Sequence, residues 1–228
     1  MLKKERMMTD SEILSKVDHT LLKAVSPWEE IKILCGEALK YKTASVCIPP
    51  SYVKPVFDFY GNAPVIATVI GFPLGYNVGR VKALETETAL LEGAVEIDMV
   101  INIGEVKNGN FNSVLNEIKL IKNICAEKIL KVIIETCYLT TEEKIRMCEI
   151  VTEAGADYIK TSTGFGTAGA TLADIELFKK HIGPNVKIKA AGGVKTREDL
   201  AAFIEAGAGR IGTSSAVKLL SGDKSSGY

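Results

Sequence analysis

Residues 95–102 read Val-Glu-Ile-Asp-Met-Val-Ile-Asn. At a period of two, Val95, Ile97, Met99 and Ile101 share one side, while Glu96, Asp98, Val100 and Asn102 share the other. The apolar set suits a helix-covered face, which turns Asp98 the opposite way. Seven further β-rich runs lie at 16–18, 44–48, 65–70, 129–136, 158–161, 186–190 and 210–212. Apolar spacing of three and four marks helices at 28–41, 80–92, 111–125, 141–154, 171–181 and 196–206. Thr141 before Glu142 and Glu143, Thr171 before Asp174, and Thr196 before Glu198 and Asp199 read as caps.

The C-terminal ends of the eight runs recur at intervals of 22 to 37 residues. Eight strand–helix units at that spacing imply an all-parallel sheet, and a closed barrel of this kind takes about 250 residues. An open doubly wound sheet usually carries a glycine-rich turn after its first strand. Here the first strand runs into Asp18-His19-Thr20-Leu21-Leu22, without glycine. The expected architecture is α/β: a single (β/α)8 TIM barrel over residues 1–228, with a short N-terminal helical extension and a flexible tail from about 221.

Composition narrows the function. Lys and Arg total 28, as do Asp and Glu, so no basic excess exists for nucleic acid or an anionic membrane. The five cysteines, at 35, 47, 125, 137 and 148, form no CxxC pair, which fits a reducing cytoplasm. The charged N-terminus, MLKKERMMTDSEIL, has no signal-peptide core, and the apolar stretch at 65–74 is too short to span a bilayer. With two histidines far apart and no HExxH pattern, no metal site is expected.

Several strand ends place ionisable groups on the barrel side. Strand four offers Asp98, strand six Tyr158 and Lys160, strand seven Lys187 and Lys189, and strand one Asp18 with Thr20. Cys47 shares an inward frame with Ser45 and reads as a pocket-lining thiol. Lys and Asp are rarely buried unpaired, so their convergence on one barrel mouth points to chemistry. Burial and a neighbouring cation both favour a neutral amine, and a neutral amine forms a Schiff base with a carbonyl. Lys160 beside Lys189 meets that description, with Asp98 to move protons.

A second constellation suits an anion. Ala191-Gly192-Gly193-Val194-Lys195 follows strand seven, and Gly212-Thr213-Ser214-Ser215 follows strand eight. These are the loops where such barrels commonly hold phosphate. Gly164, after the Lys160-Thr161-Ser162-Thr163 run, completes the cup, and Thr163 is expected among the substrate-binding residues.

The motifs VDHTLL (17–22), SVCIPP (45–50), EIDMVINIG (96–104), KVIIET (131–136), YIKTSTGFG (158–166), KAAGGVKT (189–196) and IGTSSA (211–216) together resemble the deoxyribose-phosphate aldolase family of class I aldolases. The resemblance implies reversible cleavage of 2-deoxy-D-ribose 5-phosphate to acetaldehyde and D-glyceraldehyde 3-phosphate, without metal or organic cofactor. It implies Lys160 as the Schiff-base lysine, Lys189 as the lysine that perturbs it, and Asp98 as the proton-transfer carboxylate. Asp18 and Thr20 match the substrate network, Cys47 a pocket cysteine, and Gly164, Gly193, Gly212, Ser214 and Ser215 the phosphate cup. Tyr228 matches a C-terminal tyrosine that helps protonate the enamine. Phe165 stands where some members place a lysine, which shifts the phosphate charge toward Lys195 and the backbone. The expected partners are a sugar phosphate and aldehydes, with a homodimer or higher homo-oligomer left open. A metal-dependent aldolase, a phosphosugar isomerase and a non-catalytic sensor are the rival readings.

Overall fold

The structure is a computed structural model, described over residues 7–220. The strands are β1 (Val17–Thr20), β2 (Ser45–Ile48), β3 (Ile66–Ile70), β4 (Glu96–Val100), β5 (Ile129–Ile133), β6 (Tyr158–Lys160), β7 (Lys187–Ala191) and β8 (Arg210–Thr213). Each pairs in parallel with its sequence neighbour, and β8 closes on β1. The helices are α1 (Asp10–Leu14), α2 (Trp28–Tyr41), α3 (Val53–Tyr60), α4 (Gly79–Leu91), α5 (Ile103–Lys107), α6 (Phe111–Cys125), α7 (Thr141–Glu153), α8 (Leu172–His181), α9 (Arg197–Ala206) and α10 (Ala216–Leu220).

The strand boundaries differ modestly from the sequence expectation. β1 begins at Val17 and extends to Thr20, because Ala44, His19 and Leu21 complete the ladder toward β2. β5 stops at Ile133, since Glu135 adopts a left-handed backbone (φ 51°) that leaves the sheet. The cap of α7 is Thr140, one residue earlier than Thr141: its hydroxyl accepts from the Glu143 N–H while the Glu143 carboxylate accepts from the Thr140 N–H. Thr171 and Thr196 cap as expected. Helix α3 was not expected. Its sequence, VKPVFDFY, carries Pro55 where the sequence suggests a break, but Pro55 sits in the first turn, where no N–H bond is needed.

The main apolar core lies between barrel and helices. Ile97, Met99, Val132, Ile159, Ile188 and Ala190 supply its inner side, and Ile31, Val114, Ile118, Met147 and Phe178 its outer side. Ile97 and Met99 belong to the outward frame read from the sequence. Inside the barrel the packing splits in two. Cys47, Ala67 and Val69 form a small apolar cluster on the β2–β3 side. Charged groups, among them Asp18, Glu96, Asp98, Lys131, Lys160 and Lys189, fill much of the rest, with Val100, Ile133 and Tyr158 on the same inward frames. Among the described residues, no helix is long and apolar enough to cross a membrane.

Candidate active site

The register explains why the charges meet. Asp98 is level with Lys131, Lys160 with Lys189, and Lys189 with Arg210 on adjacent strands. Asp98 is fully buried and takes contacts from three amines: Lys160 Nζ and Lys189 Nζ at 2.7 Å from Oδ2, and Lys131 Nζ at 2.9 Å from Oδ1. Lys189 also reaches Asp18 at 2.5 Å. Lys131 reaches Glu96 at 2.6 Å, and Arg210 bridges Asp18 and Glu96.

The electrostatics separate the two lysines expected from the sequence. Burial is the largest influence on Lys160; Asp98 opposes it, Lys189 reinforces it, and the amine is held below the usual lysine range. Burial also works against charge on Lys189, but Asp18 and Asp98 outweigh it, so this ammonium is held above the usual range. Lys131 is raised in the same way by Asp98, Asp18 and Glu96 against burial. Burial would raise Asp98, yet Lys131, Lys160 and Lys189 keep its carboxyl well below the usual carboxylate value. Asp18 is lowered against burial by Lys189, Lys131 and Arg210.

A charge count agrees with these directions. The layer holds the carboxylates Asp18, Glu96 and Asp98 and the cations Lys131, Lys189 and Arg210, which cancel. Lys160 is the seventh group, and the buried layer is neutral only if this amine is unprotonated.

Lys160 alone of the seven lines the cavity above the barrel, of about 540 Å³. One wall is Thr163, Gly164 and Phe165, another Ala191–Val194, and a third Gly212–Ser215. Thr20 contributes from β1, with its hydroxyl donating to the Asp18 carbonyl at 2.7 Å. The loop walls touch closely: a Cβ on Gly169 would lie 2.4 Å from the Gly192 carbonyl carbon, and Gly192 and Gly193 both have positive φ. Gly212 is constrained differently. A Cβ there would meet Lys189 Cε at 3.1 Å and Ala191 Cβ at 3.3 Å, so the lysine stem fills the space a side chain would need.

Some expected residues stand elsewhere. Asp18, Asp98 and Lys189 lie beneath the cavity, in the charged layer. Cys47 packs with Ala67 and Val69, and burial raises its thiol pKa, so it is a protonated wall of the barrel interior. Lys195 does not line the cavity. It is exposed, and its N–H is bound by Asp199 in the cap of α9. Lys23 lines the rim instead. The Thr163 hydroxyl donates to Glu135 at 2.5 Å and accepts from the Phe165 N–H at 3.0 Å. Phe165 stacks edge-on against Phe72, with centroids 5.3 Å apart. Lys187 reaches solvent at the lower end of β7, its amine over the Tyr158 ring. Tyr228 lies outside the described residues.

Lys131 and Arg210 were missed from sequence. Both were visible in principle: Lys131 interrupts the inward frame of β5, and Arg210 shares a frame with Gly212.

A closed parallel barrel with one lysine held below its usual range under an open cavity has the architecture of a Schiff-base aldolase. The comparisons agree. Residues 8–221 match the DeoC/LacD family aldolases, and the chain belongs to that family. It is 62% identical over 221 residues to the deoxyribose-phosphate aldolase of Clostridium botulinum (strain Alaska E43 / Type E3), covering 97% of this chain and 100% of that protein. It is 57% identical over 216 residues to that of Clostridioides difficile (strain 630), covering 95% and 99%. Among solved structures, the tetrameric deoxyribose phosphate aldolase from Aeropyrum pernix superposes with a TM-score of 0.85 at 31% identity, covering 95% of this chain and 93% of that one. An aldolase called QR15 gives 0.89 at 37% identity, covering 92% and 95%.

Proposed function

We propose that this aldolase reversibly cleaves 2-deoxy-D-ribose 5-phosphate to acetaldehyde and D-glyceraldehyde 3-phosphate through a Schiff base on Lys160. The observation that carries the reading is the division of labour between two adjacent lysines: Lys160 is held below the usual lysine range and lines the cavity, while Lys189 is held above it and is buried beneath. Neutral Lys160 attacks the open-chain C1 aldehyde, and loss of water gives an iminium. A base then takes the C3 hydroxyl proton, the C2–C3 bond breaks, and its electron pair passes into the enamine as glyceraldehyde 3-phosphate leaves. Protonation of the enamine carbon and hydrolysis release acetaldehyde and the free amine. Asp98 touches Lys160 and Lys189 alike, which suits it to exchange protons with the reacting centre through water. No step asks for a metal or organic cofactor. The cytoplasm and a homo-oligomeric state fit the cysteine usage and the tetrameric relative.

Borohydride reduction in the presence of acetaldehyde tests this reading. The expected product carries a two-carbon ethyl group on Lys160, mapped by mass spectrometry. An isomerase or a sugar-phosphate sensor leaves no such adduct.

Lys189→Leu tests the tuning. The change removes a cation beside Lys160 and leaves Asp98 Oδ2 to pair with Lys160 alone. Both effects favour the ammonium, so the Lys160 amine titrates higher and the pH–rate profile moves alkaline. Each unit of upward shift lowers the neutral fraction near pH 7 roughly tenfold. An unchanged profile would remove Lys189 from this role.

The cup between Gly164, Gly192–Gly193 and Gly212–Ser215 is read as the phosphate site. Ser214→Asp puts a carboxylate where that anion sits. The expected result is a large rise in KM for deoxyribose 5-phosphate and a much smaller one for unphosphorylated deoxyribose. Equal rises would make the loop structural only.

Tyr228 is read as the proton donor to the enamine. Its deletion is expected to leave trapping at Lys160 intact and to slow exchange of acetaldehyde methyl protons with deuterated solvent. Exchange at the full rate would remove Tyr228 from the mechanism.

A further inference from the structure

Glu135 is a buried carboxylate to which the mechanism gives no task. It is 2% exposed, and among the described residues no lysine, arginine or histidine pairs with it. Buried carboxylates ordinarily have such a partner. The backbone at Glu135 is left-handed (φ 51°), which is uncommon outside glycine and concentrates at functional sites. The ends of β5 and β6 run side by side past the nucleophile. The Ile134 N–H donates to the Lys160 carbonyl at 3.1 Å, and the Thr136 N–H to the Thr161 carbonyl at 2.9 Å. Position 135 therefore stands abreast of the segment that leads from Lys160 into the cavity wall.

The Glu135 carboxylate grips one residue of that wall. It accepts the Thr163 N–H on both oxygens, at 3.2 and 3.3 Å, and the Thr163 hydroxyl on Oε2 at 2.5 Å. Gly166, further along the same loop, packs against it: a Cβ there would lie 3.1 Å from the Glu135 carboxyl carbon. A carboxylate only accepts, so the single proton of the Thr163 hydroxyl is committed to Glu135. One lone pair of that hydroxyl takes the Phe165 N–H at 3.0 Å. What is left is one lone pair, on a residue that lines the cavity. A freely rotating hydroxyl offers a donor or an acceptor indifferently; Thr163 meets a substrate as an acceptor alone.

We propose that Glu135 is a positioning residue for the cleavage reaction: it fixes the Thr163 hydroxyl as an acceptor for a hydroxyl of the sugar. The inference rests on the proposed function, in which Lys160 holds the carbonyl carbon and the cup beside Gly164 holds the phosphate. Thr163 stands between those two points, three residues after Lys160 and one before Gly164. The part of the substrate that spans the same interval is its hydroxyl-bearing carbons. Orienting them sets the breaking bond relative to the iminium, and a small misplacement there is costly in rate. Glu135 acts through Thr163, since the carboxylate itself does not line the cavity.

Two assays on the full-length protein separate this role from a structural one. Exchange of acetaldehyde methyl protons with deuterated solvent needs Lys160 but involves no hydroxyl. Cleavage of unphosphorylated 2-deoxyribose needs Lys160 and the sugar hydroxyls but no phosphate. Glu135→Gln keeps the size of the side chain and one acceptor oxygen, and adds an amide donor that competes for the Thr163 oxygen. In this variant kcat/KM for cleavage is expected to fall at least about tenfold more than the exchange rate does. Glu135→Asp, which still only accepts, is expected to recover part of that difference. Thr163→Val is expected to show the same selective loss, and adding Glu135→Gln to it to change little further. Equal losses in the two assays would make Glu135 structural only and overturn the inference. So would wild-type cleavage by Glu135→Gln, or losses from Glu135→Gln and Thr163→Val that simply multiply. A wild type that neither exchanges methyl protons nor is trapped by borohydride would overturn the proposed function, and this inference with it.

Discussion

Lys160→Leu is expected to lower deoxyribose 5-phosphate cleavage by at least about a thousandfold and to abolish borohydride trapping. The magnitude follows from the absence of a substitute among the charged-layer amines. Lys189 stands next to Lys160 in the ladder, but it is fully buried, held protonated by two carboxylates and outside the cavity lining. Lys131 is enclosed by Asp18, Glu96 and Asp98. The variant is also expected to fold. Without the Lys160 amine the three carboxylates and three cations that remain in the layer balance, and Asp98 keeps two lysines. An ethyl adduct that moves to Lys189 in this variant would transfer the nucleophile's role to that residue.

Lys131→Met is expected to give the largest loss of stability of any single change in the layer. The amine has no solvent exposure, and it is the central tie between Glu96 and Asp98. Removing one partner from a buried ion network strands the opposite charge, at a cost of about 3–5 kcal/mol. For a chain of this size the melting temperature is expected to fall by about 6–20 °C. Calorimetry reads the change directly. Glu96→Gln in the same chain is expected to recover part of the loss, because it removes the carboxylate left without its amine. A melting temperature within about 2 °C of the wild type would show that Lys131 does not bind the layer together.

The barrel was legible because βα spacing and alternating apolar residues carry the fold locally. The frame of β4 placed Ile97 and Met99 toward the helices and Asp98 inward, as observed. Lys160 and Lys189 were legible for the same reason. Lys131 was not singled out, although it interrupts an apolar run in the same way. Its significance depends on register, and only the pairing of Asp98 with Lys131 shows which carboxylates it serves. Lys195 illustrates the converse: its position after the Gly192-Gly193 turn suggested phosphate, but the backbone turns away there into the cap of α9. Helix α3 was hidden because a proline in a first turn and a proline in mid-helix look alike in sequence.

The absence of a side chain at position 212 has a consequence for how this enzyme can change. A library that varies the end of β8 to reshape recognition of the substrate's far end will include Gly212, yet every residue larger than glycine there presses on the stem of Lys189. Selection at this position therefore acts on two traits at once, substrate preference and the acidity of the reacting amine. A double-mutant cycle would measure the linkage. Gly212→Ala is expected to shift the pH–rate profile in the wild-type background and to shift it far less beside Lys189→Leu, whose shorter side chain leaves the space open. Strictly additive shifts would show that the two traits can evolve independently.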